Sequence, residues 1–226
     1  MEILTKQQLN KATKFIRIAG IVLAFGILAL LACYLCILIY AKILGPPPLA
    51  VPQSTLFYSA DGTLIDEANT GQQRYWVDLE DVSPSLISAV LAIEDRNFYS
   101  HNGFDFKRIA GAIIADIKAM AKVQGASTIT QQYARNLFLN HEKTWYRKIS
   151  EAFYTIRIEM NYTKNEILEG YLNTIYYGHG VYGVQAASHY YFGKNADELA
   201  LHEAAMLAGI PKGPSYYSPF KSYERA

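Results

Sequence analysis

Cysteine is nearly absent from this chain of 226 residues, and its placement says more than its scarcity. Cys33 and Cys36, the only two, both fall inside one apolar run. CYLC has CxxC spacing, but redox or zinc chemistry is a poor reading in such surroundings. The remainder has no disulfides and must hold together by core packing, which its length permits. A dominant charge is also missing. The formal net charge is +1, so the whole chain lacks the polycation character that nucleic-acid binding calls for. The five histidines show no metal-ligand spacing. No fixed-period repeat occurs, and no charged residue lies between Arg17 and Lys42.

That uncharged gap, IAGIVLAFGILALLACYLCILIYA at residues 18–41, is long enough to cross a hydrocarbon core as one helix. Lys6, Lys11, Lys14 and Arg17 crowd ahead of it against a single acid, Glu2. The positive-inside rule then puts residues 1–17 in the cytoplasm and everything after Lys42 on the outer face. The run exceeds a signal-peptide core, and no small-x-small cleavage site follows. LLAC, ending at Cys33, looks loosely like a lipoprotein cleavage box, but the sequence stays apolar beyond it. A retained anchor is expected.

Residues 42–74 read as a linker. GPPPLAVPQS cannot continue a helix and favours an extended spacer. STLFYSADGTLID reads as a hairpin about Asp61-Gly62, and QQRYWVDL as another extended piece. From Ser83 the periodicity turns helical, and no strand pattern of strength follows. Ser83-Pro84 starts a helix with Leu86, Val90 and Ile93 as its stripe. Asp105 starts a second, with Phe106, Ile109, Ile113, Ile117 and Met120 at helical spacing, either buried or touching a membrane. Thr128 with Gln131, and Thr163 with Glu166, have capping-box spacing. Thr144 caps a helix with Trp145, Ile149, Phe153 and Ile156 on one side. Asn195 with Glu198 opens a last helical section that stops by Pro211.

Two spellings mislead. GHGVYG at residues 178–183 fits GxGxxG, but a dinucleotide site needs a βαβ unit. With a Tyr-rich helix before it, a glycine turn between helices is expected. SPFK at residues 218–221 spells SxxK but has no later SxN or KTG partner.

Three features carry chemistry. Glu94 ends an apolar helix, and a carboxylate partly desolvated there is a candidate general base. The bland alternative is a helix end in water. Ser127, Thr128, Gln131 and Gln132 begin a helix whose free N–H groups suit phosphate. The alternative is a well-capped helix. Arg135, Lys143, Arg147 and Lys148 form a basic run ending at Glu151, and Arg147, Lys148 and Glu151 can share a face. After Lys42 the chain carries 16 basic and 19 acidic residues. A local cationic cluster there points to a specific anion such as a diphosphate rather than to a solvated ion-paired helix.

Together these segments resemble a known family. EDRNFYSHNGFD, GASTITQQYARNLFL, RKISE, ILEGYLNTIYYGHGVYGVQAASHYYFGK and LHEAAMLAGIPKGPSYYSP match, in order, the motifs of the peptidoglycan glycosyltransferases, glycosyltransferase family 51. The resemblance runs over residues 75–219 and leaves residues 220–226 as the start of a linker or a chain end. It implies a mainly α, lysozyme-like fold with a membrane-touching lobe at Phe106 to about Val123. It implies polymerisation of lipid II into glycan strands, with inversion at the anomeric carbon and release of undecaprenyl diphosphate.

By the same resemblance Glu94 is the general base and Glu151 the second glutamate, near the leaving diphosphate. Asp95, Ser127, Gln132, Arg135, Asn136, Lys143 and Lys148 are substrate-binding or organising positions. Arg135 stands where the family more often has Lys, and Lys143 where some members have Arg. The resemblance requires no cofactor and leaves room for a divalent cation such as Mg2+ at the diphosphate. Membrane lipid and other wall-synthesis and division proteins are the further partners it suggests, and no nucleic acid is expected. Two carboxylates also suit a lytic glycoside hydrolase, and an inactive wall-synthesis scaffold is the non-enzymatic alternative. LFYSADGTLID and RYWVDL resemble the linker of bifunctional class A penicillin-binding proteins, which continue into a transpeptidase domain after a segment like YERA.

Overall fold

The computed structural model describes residues 6–68, 71–121, 125–139, 144–221 and 224. It falls into two units, Met1–Gly45 and Pro46–Ala226. The first holds one helix, α1 (Lys6–Leu44). Its stretch Thr13–Leu44 is long and apolar enough to cross a membrane. Phe25, Leu30 and Leu31 are among the many apolar side chains it leaves uncovered.

The second unit is built mostly of helices. A hairpin comes first: β1 (Thr55–Tyr58) pairs antiparallel with β2 (Leu64–Ala68). Gly62 supplies the positive φ its turn requires, and Gly62 N–H donates to the Ser59 carbonyl. The segment ahead of the hairpin is pinned to the unit rather than free. Tyr162 donates to the Pro47 carbonyl at 2.8 Å, and Leu49 packs on the core. The packing boundary therefore falls at Gly45–Pro46.

Then come β3 (Gln73–Arg74), α2 (Pro84–Glu94), α3 (Phe106–Ala119), α4 (Ile129–Phe138), α5 (Trp145–Asn161) and α6 (Lys164–Thr174). They are followed by β4 (Tyr176–Gly178), β5 (Val181–Tyr182), α7 (Val184–Phe192) and α8 (Leu201–Gly209). The helix starts are locally encoded. Thr128 and Thr163 form full capping boxes with Gln131 and Glu166. The Asp105 and Thr144 side chains accept from the N–H groups of Arg108 and Arg147. Asn195 caps only a short 3-10 turn, and α8 begins separately after Ala200.

The core forms where α2 packs on α8, and where α4 packs on α5 and α6. Leu86, Ile129, Tyr133, Ile158, Ile167, Leu172 and Leu207 are fully buried there. Each such aliphatic side chain contributes about 1.5–3 kcal/mol by leaving water. Gly170 lets α4 and α6 approach closely, since a Cβ there would lie 2.1 Å from the Tyr133 hydroxyl.

Three readings of the sequence need correction. Strands do occur after residue 80: β4 and β5 pair there, and β3 from before it completes a sheet of order β3-β5-β4, parallel to β5. GHGVYG is therefore the β4–β5 turn and not a turn between helices, and it still lacks a βαβ unit. In α2, Leu86 and Val90 are buried but Ile93 is exposed. In α5 the buried residues are Glu151, Thr155 and Ile158, while Trp145 and Ile149 face solvent. Phe106, Ile113 and Ile117 of α3, and Met120 just after it, are exposed, so α3 is not a buried helix.

Candidate active site

The site assembles where three helix ends meet. Glu94 is the last residue of α2, and Asp95 caps it, donating its N–H to the Leu91 carbonyl. The Asp95 side chain turns inward and is 1% exposed. One carboxylate oxygen accepts from the Ile129 N–H at 3.1 Å, at the start of α4. That N–H has no partner within its own helix, and an acid there also suits the helix dipole. His101 Nε2 lies 3.0 and 3.1 Å from the two Asp95 oxygens. Arg108 of α3 donates to the Glu94 carbonyl, and its Nη1 is 3.9 Å from Asp95. Asp95 thus ties α2, the His101 loop and α4 together. Gly103 has a positive φ, and a Cβ there would lie 2.6 Å from Thr155 Cγ2, so this loop sits directly on α5. The Thr128 hydroxyl donates to the Gly103 carbonyl at 2.7 Å. Asp105 accepts from the Asn97 amide and the Arg108 N–H, and these bonds hold its carboxyl below the usual range.

Among the described residues, Gln132 is the one hydrogen-bond donor to the Glu94 carboxylate. Gln132 Nε2 reaches Glu94 Oε2 at 2.6 Å. The other side of the amide is fixed as well, because the Tyr171 hydroxyl donates to Gln132 Oε1 at 3.1 Å. Burial and then the Glu94 charge push the Tyr171 hydroxyl well above its ordinary value, so it stays a donor. A donor on Oε1 leaves the amide nitrogen aimed at Glu94.

Glu151 sits differently. It is fully buried, and a buried carboxylate needs paired charge. Arg147 Nη1 meets one oxygen at 2.7 Å, Lys148 Nζ binds the other, and Arg135 Nη1 stands 4.0 Å away. Three cations surround one acid, which leaves positive charge in excess. Gln132 and Arg135 are three residues apart on α4, so they share a face about 4.5 Å apart along the axis. A cleft of about 370 Å³ opens over that face, lined by Gln132, Arg135, Asn136, Arg147, Tyr171, Ile175, Tyr176, Pro211 and Pro214. Glu94 adjoins it through Gln132, and Lys148 through the Glu151 cluster. Ser127 is half-buried just ahead of the α4 cap and does not line this cleft. Lys143 lies outside the described residues.

Among the described residues no three His, Cys, Asp or Glu side chains converge, and both Glu151 oxygens are already held by cations. Reasoning from sequence placed Arg147 on the Glu151 face but left it out of the site, and it missed Arg108 and Tyr171. The spacing of Arg147, four residues before Glu151, was the available signal.

Residues 61–226 match the family model described as Transglycosylase. The chain belongs to the transglycosylase family. It is 58% identical to penicillin-binding protein 2D of Bacillus subtilis (strain 168), over 100% of this chain and 33% of that protein. It is 45% identical over 216 residues to penicillin-binding protein 1A of Aquifex aeolicus (strain VF5), covering 93% of this chain and 29% of the relative. With penicillin-binding protein 1A of Escherichia coli (strain K12) it shares 49% over 169 residues, 75% of this chain and 20% of the relative. The chain spans a fifth to a third of the length of these curated relatives. A crystal structure of penicillin-binding protein 1A from Haemophilus influenzae matches 78% of this chain and 16% of its own, at 30% identity and a TM-score of 0.37, too low to bear on the fold. Membership gives the reaction class, glycosyl transfer, and favours it over the hydrolytic alternative.

Proposed function

We propose that the Pro46–Ala226 unit polymerises lipid II into glycan strands of the bacterial cell wall. The observation that carries this reading is the division of the α4 face between a lightly held acid, Glu94 on Gln132, and a cationic cluster at Glu151. Glu94 takes the proton from the 4-hydroxyl of the incoming disaccharide. The hydroxyl oxygen bonds to the anomeric carbon of the growing chain from the face opposite the diphosphate, so the configuration inverts. The bond from that carbon to the diphosphate oxygen breaks, and its electron pair leaves with undecaprenyl diphosphate. Arg135, Arg147 and Lys148 hold that diphosphate, with Glu151 keeping the cations in register. Asp95 organises the junction, Gln132 orients the base, and Asn136 and Lys143 contribute polar contacts to the donor.

The chain is anchored by α1 with its basic N-terminus in the cytoplasm, and the uncovered apolar face of α3 meets the leaflet from which the lipid-linked substrate is drawn. Incubating the membrane-embedded chain with labelled lipid II and sizing the products tests the reading. Long glycan supports it. Shortening of preformed glycan makes the chain a hydrolase, and neither makes it a scaffold.

A further inference from the structure

The two misleading spellings, GHGVYG and SPFK, meet in the folded chain. His179 Nε2 and the Ser218 hydroxyl lie 3.0 Å apart. Ser218 is fully buried, which bars it from attacking a substrate. His179 sits at the tip of the β4–β5 turn with a φ of 54°, in the left-handed region that non-glycine residues rarely adopt. Strain of this kind persists only where the surroundings fix it. Here the His179 ring stacks on Tyr190 at 5.4 Å and meets the edge of Phe220 at 6.1 Å. Phe220 in turn stacks on Tyr191 at 5.5 Å. The Tyr191 hydroxyl donates to the Tyr177 carbonyl of β4 at 2.7 Å. Residues 213–220 are thus strapped across the turn by one hydrogen bond and a group of stacked rings.

The strap reaches the cleft. Part of the cleft lining comes from Ile175 and Tyr176, and part from Pro211 and Pro214. Pro214 packs on the end of β4, since a Cβ added at Gly178 would lie 3.3 Å from the Pro214 Cβ. The strap joins the same two pieces of chain one residue beyond that contact, at His179. We infer that His179 is a positioning residue: through Ser218 it holds residues 213–220 on the β4–β5 turn and so sets Tyr176 and Pro214 against the bound substrate. The role of those two residues rests on the glycosyltransferase reading, whereas the strap itself does not.

Hydrogen–deuterium exchange of the full chain in detergent reads the strap with no substrate present. The N–H groups of Tyr216 and Tyr217 both donate to the Gly213 carbonyl at 2.8 Å and report on it. His179→Gly removes the ring and accepts the left-handed backbone. Ser218→Ala removes the hydroxyl alone. In each variant exchange over residues 213–220 should quicken about threefold or more, for one hydrogen bond lost, while α2 exchanges as in the wild type. Unchanged exchange in both variants overturns the inference, whether or not the chain polymerises lipid II. Lipid II kinetics then read the cleft. KM should rise about three- to tenfold in each variant with kcat within about twofold, because a displaced lining weakens binding and leaves Glu94 in place. The double variant should be no worse than the weaker single one, since both act through one contact. A lower thermal midpoint with KM unchanged makes the contact merely structural and overturns the inference, and so do additive losses in the double variant. Faster exchange in the variants of a chain that makes no glycan supports the strap and sinks the transferase reading.

Discussion

The two glutamates of the cleft are the same residue type in opposite settings. Glu94 ends its helix half-buried and accepts from a neutral amide. Glu151 is fully buried and bound by Arg147 and Lys148. Both Glu151 carboxylate oxygens are already engaged by cations. A carboxylate on one neutral donor keeps lone pairs for an incoming hydroxyl. On the proposed reading, environment and not residue type assigns proton transfer to one end and anion binding to the other.

The contrast breaks most visibly at Glu94. Glu94→Gln removes the base and should cut lipid II polymerisation by about 10²- to 10⁴-fold while the circular dichroism melt stays unchanged. At the other end, Lys148→Ala removes a proposed diphosphate donor. Affinity for a lipid diphosphate analogue should fall about 10- to 100-fold, read by fluorescence titration. Tyr171→Phe sharpens the Glu94 side. Without its donor the Gln132 amide can turn, and kcat should drop several-fold with KM little changed, for the loss of one hydrogen bond of about 1 kcal/mol. The smallest effect concerns the scaffold behind Asp95. The folded-state pKa of Asp105 is depressed below 3.8, first by Asn97 and then by Arg108. The stability it lends is present above 3.8 and is lost as pH falls through the depressed value. Asp105→Asn should lower the melting temperature at neutral pH and flatten the acid limb, so that the two chains converge at low pH.

Much of this was legible because it is local. Thr128, Thr163, Asp105 and Thr144 announced their helices through side chains that reach three residues along the chain. The hairpin at Gly62 and the grouping of Arg147 and Lys148 with Glu151 are equally local. What could not be read depends on distant partners. Gln132 meets Glu94 across 38 residues, and Tyr171 meets Gln132 across 39. The strands β4 and β5 are too short to show alternation, and β5 pairs with Gln73–Arg74 from the far end of the unit. The α5 pattern misled because Trp145 and Ile149 face outward, while three cations surround the buried Glu151.

The most direct measurement compares the affinity of Glu94→Gln and Lys148→Ala for undecaprenyl diphosphate in one detergent buffer. Separate roles predict that Glu94→Gln binds within twofold of the wild-type chain, while Lys148→Ala binds about tenfold or more weakly. Equal losses in the two variants would contradict the division of labour between the glutamates.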